Sequence, residues 1–191
     1  MSASGQRRWG WHALDDRWAR RIVAAAAIEP GDLVLDIGAG TGALTAPLVE
    51  AGARVIAVEL HERRAEVLRR RFADDQVTVV RADAADLWLP GKPFKVVANP
   101  PYALLTAIVK RLVGNGSRLQ SADLVVPAWF VSKVCDGELP GTRRWAGTFD
   151  VGRGLTVPAR AFSPAPARAF SPAPRVGSAV LRIQQKGPAR R

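Results

Sequence analysis

Four short apolar runs, each stopping on a polar side chain, constrain this chain more than any other feature. Leu33-Val34-Leu35 closes on Asp36, the run from Arg54 closes on Glu59, Val77 to Arg81 is followed by Asp83, and Lys95 to Ala98 delivers Asn99. Such runs, bounded by turn signals, read as buried strands, and helical patterns at Ala43 to Glu50 and Arg63 to Phe72 lie between them. The steps of about 23 and 24 residues from Asp36 to Glu59 and from Glu59 to Asp83 each fit one strand-helix-strand unit. This alternation predicts an α/β fold with a doubly wound, mostly parallel sheet whose ligands sit at the carboxyl ends of the strands. The three acids and Asn99 all fall at those ends.

The rest of the chain extends the pattern. A helix is expected from Trp11 to Ile28, stopped by Glu29-Pro30-Gly31-Asp32, and another from Leu104 to Val113. Asp123 to Val126 reads as a fifth strand, and Trp129 to Trp145 as a short helix and loop. Leu155 to Val157 and Val176 to Ile183 supply two more strands, for a seven-stranded sheet. Residues 1–10 read as a flexible basic lead, 11–183 as one domain and 184–191 as a basic tail.

A length of 191 residues suits a single domain with a real core. No apolar run approaches the roughly 20 residues of a bilayer span, and the start has charge without a signal-type apolar core, so a cytoplasmic protein without membrane contact is expected. The lone Cys135 excludes an internal disulfide, and His12 and His61 are too far apart in sequence to suggest a metal site. A monomer is expected. Charge says more: the formal net charge is +11, and from Pro140 onward ten Arg or Lys face the single Asp150, which puts +9 of it in the last quarter. A one-sided basic surface points to a polyanion, most often nucleic acid, although a solvated tail has the same composition.

The turn after the first strand separates two cofactor classes. Dinucleotide binders bring a pyrophosphate to a helix N-terminus through Gly-x-Gly-x-x-Gly. Here Asp36-x-Gly38-x-Gly40-x-Gly42 has a shorter beat and opens with an acid, from which a phosphate gains little. It suits backbone lying against an amino-acid tail that bears an ammonium and a sulfonium, which is S-adenosyl-L-methionine. Glu59 is then placed to accept from both ribose hydroxyls and Asp83 from the adenine amino group. Taken singly, each acid reads as a surface loop residue; the ordered set carries the signal.

The fourth run ends in Asn99-Pro100-Pro101-Tyr102. As four residues this is a stiff turn after a strand, and it is equally a grip for a planar amine. The Asn99 side-chain carbonyl and the Pro100 backbone carbonyl are two acceptors for the hydrogens of an exocyclic NH2, and the Tyr102 ring can stack on the heterocycle. An adenine N6 lone pair is conjugated into its ring and is a poor nucleophile. Two acceptors favour a more pyramidal nitrogen facing the methyl donor, so positioning and electrostatics carry the reaction without a strong base. A base in a duplex must be swung out to reach such a corner.

With these motifs in this order, the chain resembles the erythromycin-resistance (Erm) methyltransferases and their relatives, the small-subunit rRNA adenine dimethyltransferases. The resemblance runs from about Gly10 to Ile183 and is nearest the short actinobacterial members. That family covers the cofactor with Gly-Gln-Asn/His-Phe-Leu; here Gly10-Trp11-His12-Ala13-Leu14 keeps His12 and Leu14 while Trp11 and Ala13 depart. Gly38, Glu59, Asp83 and Asn99 fall on the family's other cofactor positions, and Tyr102 on its base-stacking position. The family's Phe-x-Pro-x-Pro-x-Val-x-Ser, whose Phe stacks on the base from the other side, is matched by Phe170 through Val176 and Ser178. Ala-Arg-Ala-Phe-Ser-Pro-Ala-Pro occurs at 159–166 and again at 167–174, so Phe162 rivals Phe170, and one copy reads as a dispensable loop insertion.

The resemblance implies a Rossmann-like class I methyltransferase fold and N6-methylation of one adenine in the peptidyl-transferase loop of 23S rRNA. That modification gives resistance to macrolides, lincosamides and streptogramin B. Family members carry a helical C-terminal domain, which the eight residues after Ile183 leave no room for; mono-methylation is the expected consequence. RNA contact then falls to the basic last quarter and the helix from Arg63 to Arg71. Rival readings are a housekeeping small-subunit rRNA dimethyltransferase, a DNA-adenine or protein-glutamine methyltransferase sharing Asn-Pro-Pro-Tyr, and a non-catalytic RNA-binding relative.

Overall fold

The computed structural model describes residues 13–141, 146–163 and 177–187. After a two-residue strand β1 (Ala13–Leu14), helix α1 (Asp16–Ala25) begins where the Asp15 side chain accepts from the Arg17 N–H at 3.0 Å. Then follow β2 (Leu33–Ile37), α2 (Thr45–Glu50), β3 (Arg54–Val58), α3 (Glu62–Arg71), β4 (Val77–Val80), β5 (Phe94–Ala98), α4 (Leu105–Leu112), β6 (Leu119–Pro127) and α5 (Ala128–Cys135). The chain closes with β7 (Phe149–Val157), the two-residue β8 (Phe162–Ser163) and β9 (Ser178–Gln185).

Seven strands form one sheet in the order β4-β3-β2-β5-β6-β9-β7. The first five are parallel, and β9 runs antiparallel to both neighbours. This is the Rossmann-like methyltransferase arrangement expected from the strand-helix alternation. Successive side chains on a strand point to opposite faces, so a sheet covered by helices on both sides needs apolar residues at every position. The central strands β2, β5 and β6 largely obey this. Leu35, Val96, Ala98 and Leu124 join Ile108, Leu112 and Phe130 under α4 and α5, while Val34, Ala57, Val97 and Val125 join Ile22, Leu48 and Leu68 under α1 to α3.

The structure corrects the sequence reading in several places. The first helix spans Asp16–Ala25 and is preceded by β1, because Ala13 and Leu14 pair with Ser163 and Phe162. The fifth strand is nine residues long, since Leu119 to Ser121 gain ladder partners on β5 despite two polar side chains. The strand expected at Leu155 to Val157 begins at Phe149; Gly152, Arg153 and Gly154 hide it in sequence. Gly154 lies where an added Cβ would meet the Val180 side chain at 3.2 Å, so β9 needs a residue without a side chain there. Residues 159–163 of the first octapeptide copy are built into the fold, with Ala161 and Phe162 buried and Ser163 in β8; its last three residues lie outside the described residues. The second copy lies outside the described residues, as do the basic lead, His12, Phe170 and the last four residues. No helix among the described residues is long and apolar enough to cross a membrane.

Candidate active site

The sheet order places the four strand-end residues side by side along one rim. Asp83 follows β4, Glu59 follows β3, Asp36 lies in the last turn of pleat of β2, and Asn99 follows β5. Four segments distant in sequence thus become one continuous edge, because each parallel strand enters from the opposite side.

The glycine turn and the Asn-Pro-Pro corner touch. Gly38, with φ +77°, turns its open side toward the corner, and a Cβ there would lie 3.1 Å from Pro101 Cδ and 3.5 Å from the Asn99 carbonyl oxygen. The Gly38 and Ala39 N–H groups both donate to the Val58 carbonyl, at 2.8 and 3.1 Å, which pins the turn to the end of β3. Gly42 serves a different purpose from the one its spacing suggested. Its φ is +94°, and a Cβ there would come within 2.6 Å of the Phe72 ring, so this glycine admits the end of α3.

Glu59 is 3% exposed and heavily engaged. Its Oε2 accepts from the Gly40 N–H at 2.9 Å and its Oε1 from the His61 N–H at 2.7 Å, while the Arg64 guanidinium lies 3.2 Å from Oε1. A carboxylate offers about four acceptor directions, so these three donors fix its plane and leave its outward edge for a further one. Asp36 is 1% exposed, and its Oδ2 accepts from the Thr45 hydroxyl at 2.7 Å. Burial pushes its carboxyl up to about 7; the Thr45 hydrogen bond opposes the rise and the nearby Glu59 charge adds to it. A buried acid held near neutrality, beside a second acid, is a place where a cationic group is stabilised. Asp83 caps a 3-10 turn over Ala84–Asp86, its Oδ1 accepting from the Ala85 N–H at 2.9 Å.

On the other side of Asn99, Tyr102 opens a second 3-10 turn, and its hydroxyl lies 3.0 Å from the Ser178 hydroxyl at the start of β9. Burial raises the Tyr102 phenol, with the Ser178 hydrogen bond opposing, so the ring stays neutral. Leu14 and Phe162 pair across β1 and β8 and sit in the core cluster that also holds Ala39 of the glycine turn. No group of three or more His, Cys, Asp or Glu able to hold a metal occurs among the described residues. A cleft lined by Lys110, Asn115, Thr148 and Gln185 opens at the opposite, amino-terminal edge of the parallel strands and shares no residue with this rim.

The model of the ribosomal RNA adenine dimethylases matches residues 5–190. The chain belongs to the ribosomal RNA adenine dimethylase family. Among curated relatives, a ribosomal RNA small subunit methyltransferase A from Leifsonia xyli is 37% identical over 137 residues, covering 68% of this chain and 48% of that protein. An rRNA adenine N-6-methyltransferase from Bacillus licheniformis is 35% identical over 187 residues, covering 94% of this chain and 62% of that protein. The solved 23S rRNA methyltransferase ErmE superposes with a TM-score of 0.78 at 28% identity, over 92% of this chain and 70% of that one. The chain spans from about a third to two thirds of the length of the curated relatives it matches. Members of this family are S-adenosylmethionine-dependent methyltransferases, and the paired buried acids beside a glycine turn fit a cationic methionine derivative.

Sequence reasoning missed several contacts of this rim. Thr45 carries no motif signal, and the bond from the Gly40 N–H to Glu59 could not be read from the glycine motif, since both contacts come from where the turn folds. Ser178 belonged to the matched motif, yet its bond to Tyr102 depends on β9 starting beside Pro127. The helix Arg63 to Arg71, expected to face RNA, is partly spent within the protein. Arg64 pairs with Glu59, Arg70 with Glu66, and Arg71 donates to the Thr41 carbonyl at 2.9 Å while lying over the Phe72 ring.

Proposed function

We propose that this chain transfers a methyl group from S-adenosylmethionine to N6 of an adenine in ribosomal RNA, in the cytoplasm. The observation that carries the reading is the contact of Gly38 with Asn99-Pro100-Pro101, which sets the donor's turn directly against the acceptor's corner. Two reactants held at such range react as one molecule, which is a large part of what an amine methylation needs.

In this reading the Gly38–Gly40 backbone lies along the methionine portion, with His12 and Leu14 covering it. Asp36 balances its positive charge, Glu59 accepts from the ribose hydroxyls and Asp83 from the adenine amine. The bound donor supplies an electrophilic methyl carried on a sulfonium. Asn99 and the Pro100 carbonyl accept the two N6 hydrogens of the target adenine and aim its lone pair, while Tyr102, anchored by Ser178, stacks on the ring. The second ring of the sandwich is assigned to Phe170, because Phe162 is already buried in the core. No residue is needed as a strong base, since the amine proton becomes acidic only as the methyl arrives.

For the target we favour the peptidyl-transferase loop of 23S rRNA, with macrolide, lincosamide and streptogramin B resistance as its result. The likeness to the solved 23S rRNA methyltransferase ErmE, at 28% identity over 92% of this chain, supports that choice. The small-subunit reading has its own support in relatives named for that subunit. Methylating purified 23S and 16S rRNA side by side, then mapping the modified position by primer extension, separates the two. A stop in the 23S peptidyl-transferase loop is expected. A stop in 16S rRNA alone makes this a small-subunit enzyme.

A further inference from the structure

Helix α5 leaves the sheet at the rim that carries the site. Its first residue, Ala128, donates its N–H to the Gly177 carbonyl at 2.9 Å, and Pro127 before it pairs with Ser178, the partner of Tyr102. The helix gives Phe130, Val131 and Val134 to the core. Trp129 points the other way and is 55% exposed, its ring edge-on to Phe130 at 5.7 Å. Indole is the largest apolar surface a side chain offers, and leaving it in water beside a site has a cost that a stacking partner removes.

The surroundings of Trp129 say which partner. The Arg153 side chain, from β7, reaches the same helical turn, with Nη2 2.9 Å from the Ser132 hydroxyl and 3.5 Å from the Ala128 carbonyl, while the residue stays exposed. Lys133 follows Trp129 at i+4, on the same helical face. Asp136, at the C-cap, is the first acid along the helix. An exposed indole on a helix that also presents Lys133 and receives Arg153 at Ser132, on a chain of net charge +11, matches single-stranded nucleic acid, whose bases stack and whose phosphates need counter-charge.

We propose that Trp129, with Arg153 and Lys133, forms a stacking platform for an unpaired nucleotide neighbouring the target adenine in the RNA substrate. The inference rests on the rRNA methyltransferase reading above. The platform holds the strand beside the site, so it acts on RNA binding and leaves the methyl-transfer step untouched. A duplex presents its bases already stacked and gains little from it.

The test uses the full chain and a fluorescein-labelled RNA hairpin whose loop carries an unpaired adenine, together with a fully paired control of similar length. Trp129→Ala is expected to weaken hairpin binding and raise KM for it about tenfold, within the roughly 5- to 150-fold that loss of one base-aromatic stack produces, at unchanged kcat and with little change on the duplex. Trp129→Phe should retain most of the affinity, and Arg153→Gln should lower the slope of log affinity against log salt by about one. Equal KM for wild type and Trp129→Ala, with wild type active, overturns the platform and leaves the methyltransferase reading standing. Equal losses on hairpin and duplex also overturn it, since stacking of an unpaired base cannot act on a closed helix. A wild-type protein that neither binds nor methylates ribosomal RNA overturns the enzymatic reading first and the platform with it.

Discussion

The two halves of the rim are built differently. From β4 to β5 every strand is parallel and an acid or amide stands at each strand end; backbone N–H groups fix two of them, Gly40 and His61 on Glu59 and Ala85 on Asp83, and the Thr45 hydroxyl holds Asp36. From β6 to β7 the sheet turns antiparallel, and what lines the rim is aromatic and basic: Tyr102 held by Ser178, and α5 with its exposed Trp129 and with Arg153 bound at Ser132. A small cofactor of fixed shape rewards a preorganised, hydrogen-bonded cradle, whereas a large flexible polyanion rewards stacking faces and mobile charge. In the proposed reading Asn99 stands at the seam, where the two substrates meet.

Changes at the seam should therefore hit chemistry, and changes in either half should hit one partner only. Asn99→Ala removes an acceptor that matters most as the amine pyramidalises; we expect kcat to fall about 10³-fold, in the range seen for loss of one preorganised electrostatic contact. Hairpin affinity by anisotropy should stay within about twofold. A comparable loss of hairpin affinity would move Asn99 out of the seam and into the RNA half.

Next in size is the contrast between the two octapeptide rings. Phe162 is 3% exposed and paired into β8, so Phe162→Ala should cost about 3–5 kcal/mol of stability by urea denaturation. Phe170→Ala should lower activity, read as methyl incorporation into RNA. The reverse pattern would give Phe162 the base-stacking role.

The glycines sharpen the same comparison within the cofactor half. Gly42→Ala should lose about 1–3 kcal/mol by overpacking against Phe72, and shortening the ring with Phe72→Leu should recover part of that loss. Gly38→Ala strains a left-handed backbone and crowds Pro101, so it should lose cofactor affinity in addition to stability, with no rescue from Phe72→Leu. Equal rescue of both variants would erase the distinction between the packing and the cofactor glycine.

The smallest effect is a pH dependence. Asp36 titrates near 7 in the cofactor-free protein, well above the ordinary 3.8, because it is buried. A group whose folded pKa is raised stabilises most at low pH, so its contribution is full below about 4 and is lost as pH rises through 7. Cofactor binding should run the opposite way. A cationic ligand selects the ionised carboxylate, so affinity should rise up to about tenfold per pH unit below 7 and level off above it. Glu59 is the charged group that acts on this carboxylate, and Glu59 is itself paired with Arg64. Asp36→Asn should flatten the profile, and a profile unchanged in that variant would place the titrating group elsewhere.

These differences also explain what could be read from sequence. The parallel half announces itself: each buried strand is a continuous apolar run, and each ends on the residue that matters. The antiparallel half hides. β7 carries Gly152, Arg153 and Gly154 in its middle, and the two-residue strands β1 and β8 exist only because they meet each other. Asp36, Glu59, Asp83 and Asn99 were legible from spacing, but Thr45 and Arg64 were not, since their functions are contacts across a turn. Trp129 gave no motif signal, and its exposure is a property of the folded helix alone.

The central claim is that the rim delivers a methyl group to an exocyclic amine gripped at Asn99. The most direct measurement is mass spectrometry of nucleosides from ribosomal RNA incubated with the purified chain and S-adenosylmethionine carrying a labelled methyl. N6-methyladenosine or its dimethyl form should carry the label, and it should vanish with Asn99→Ala. Label on a ring nitrogen, on carbon or on ribose, or label that persists in that variant, would contradict the account.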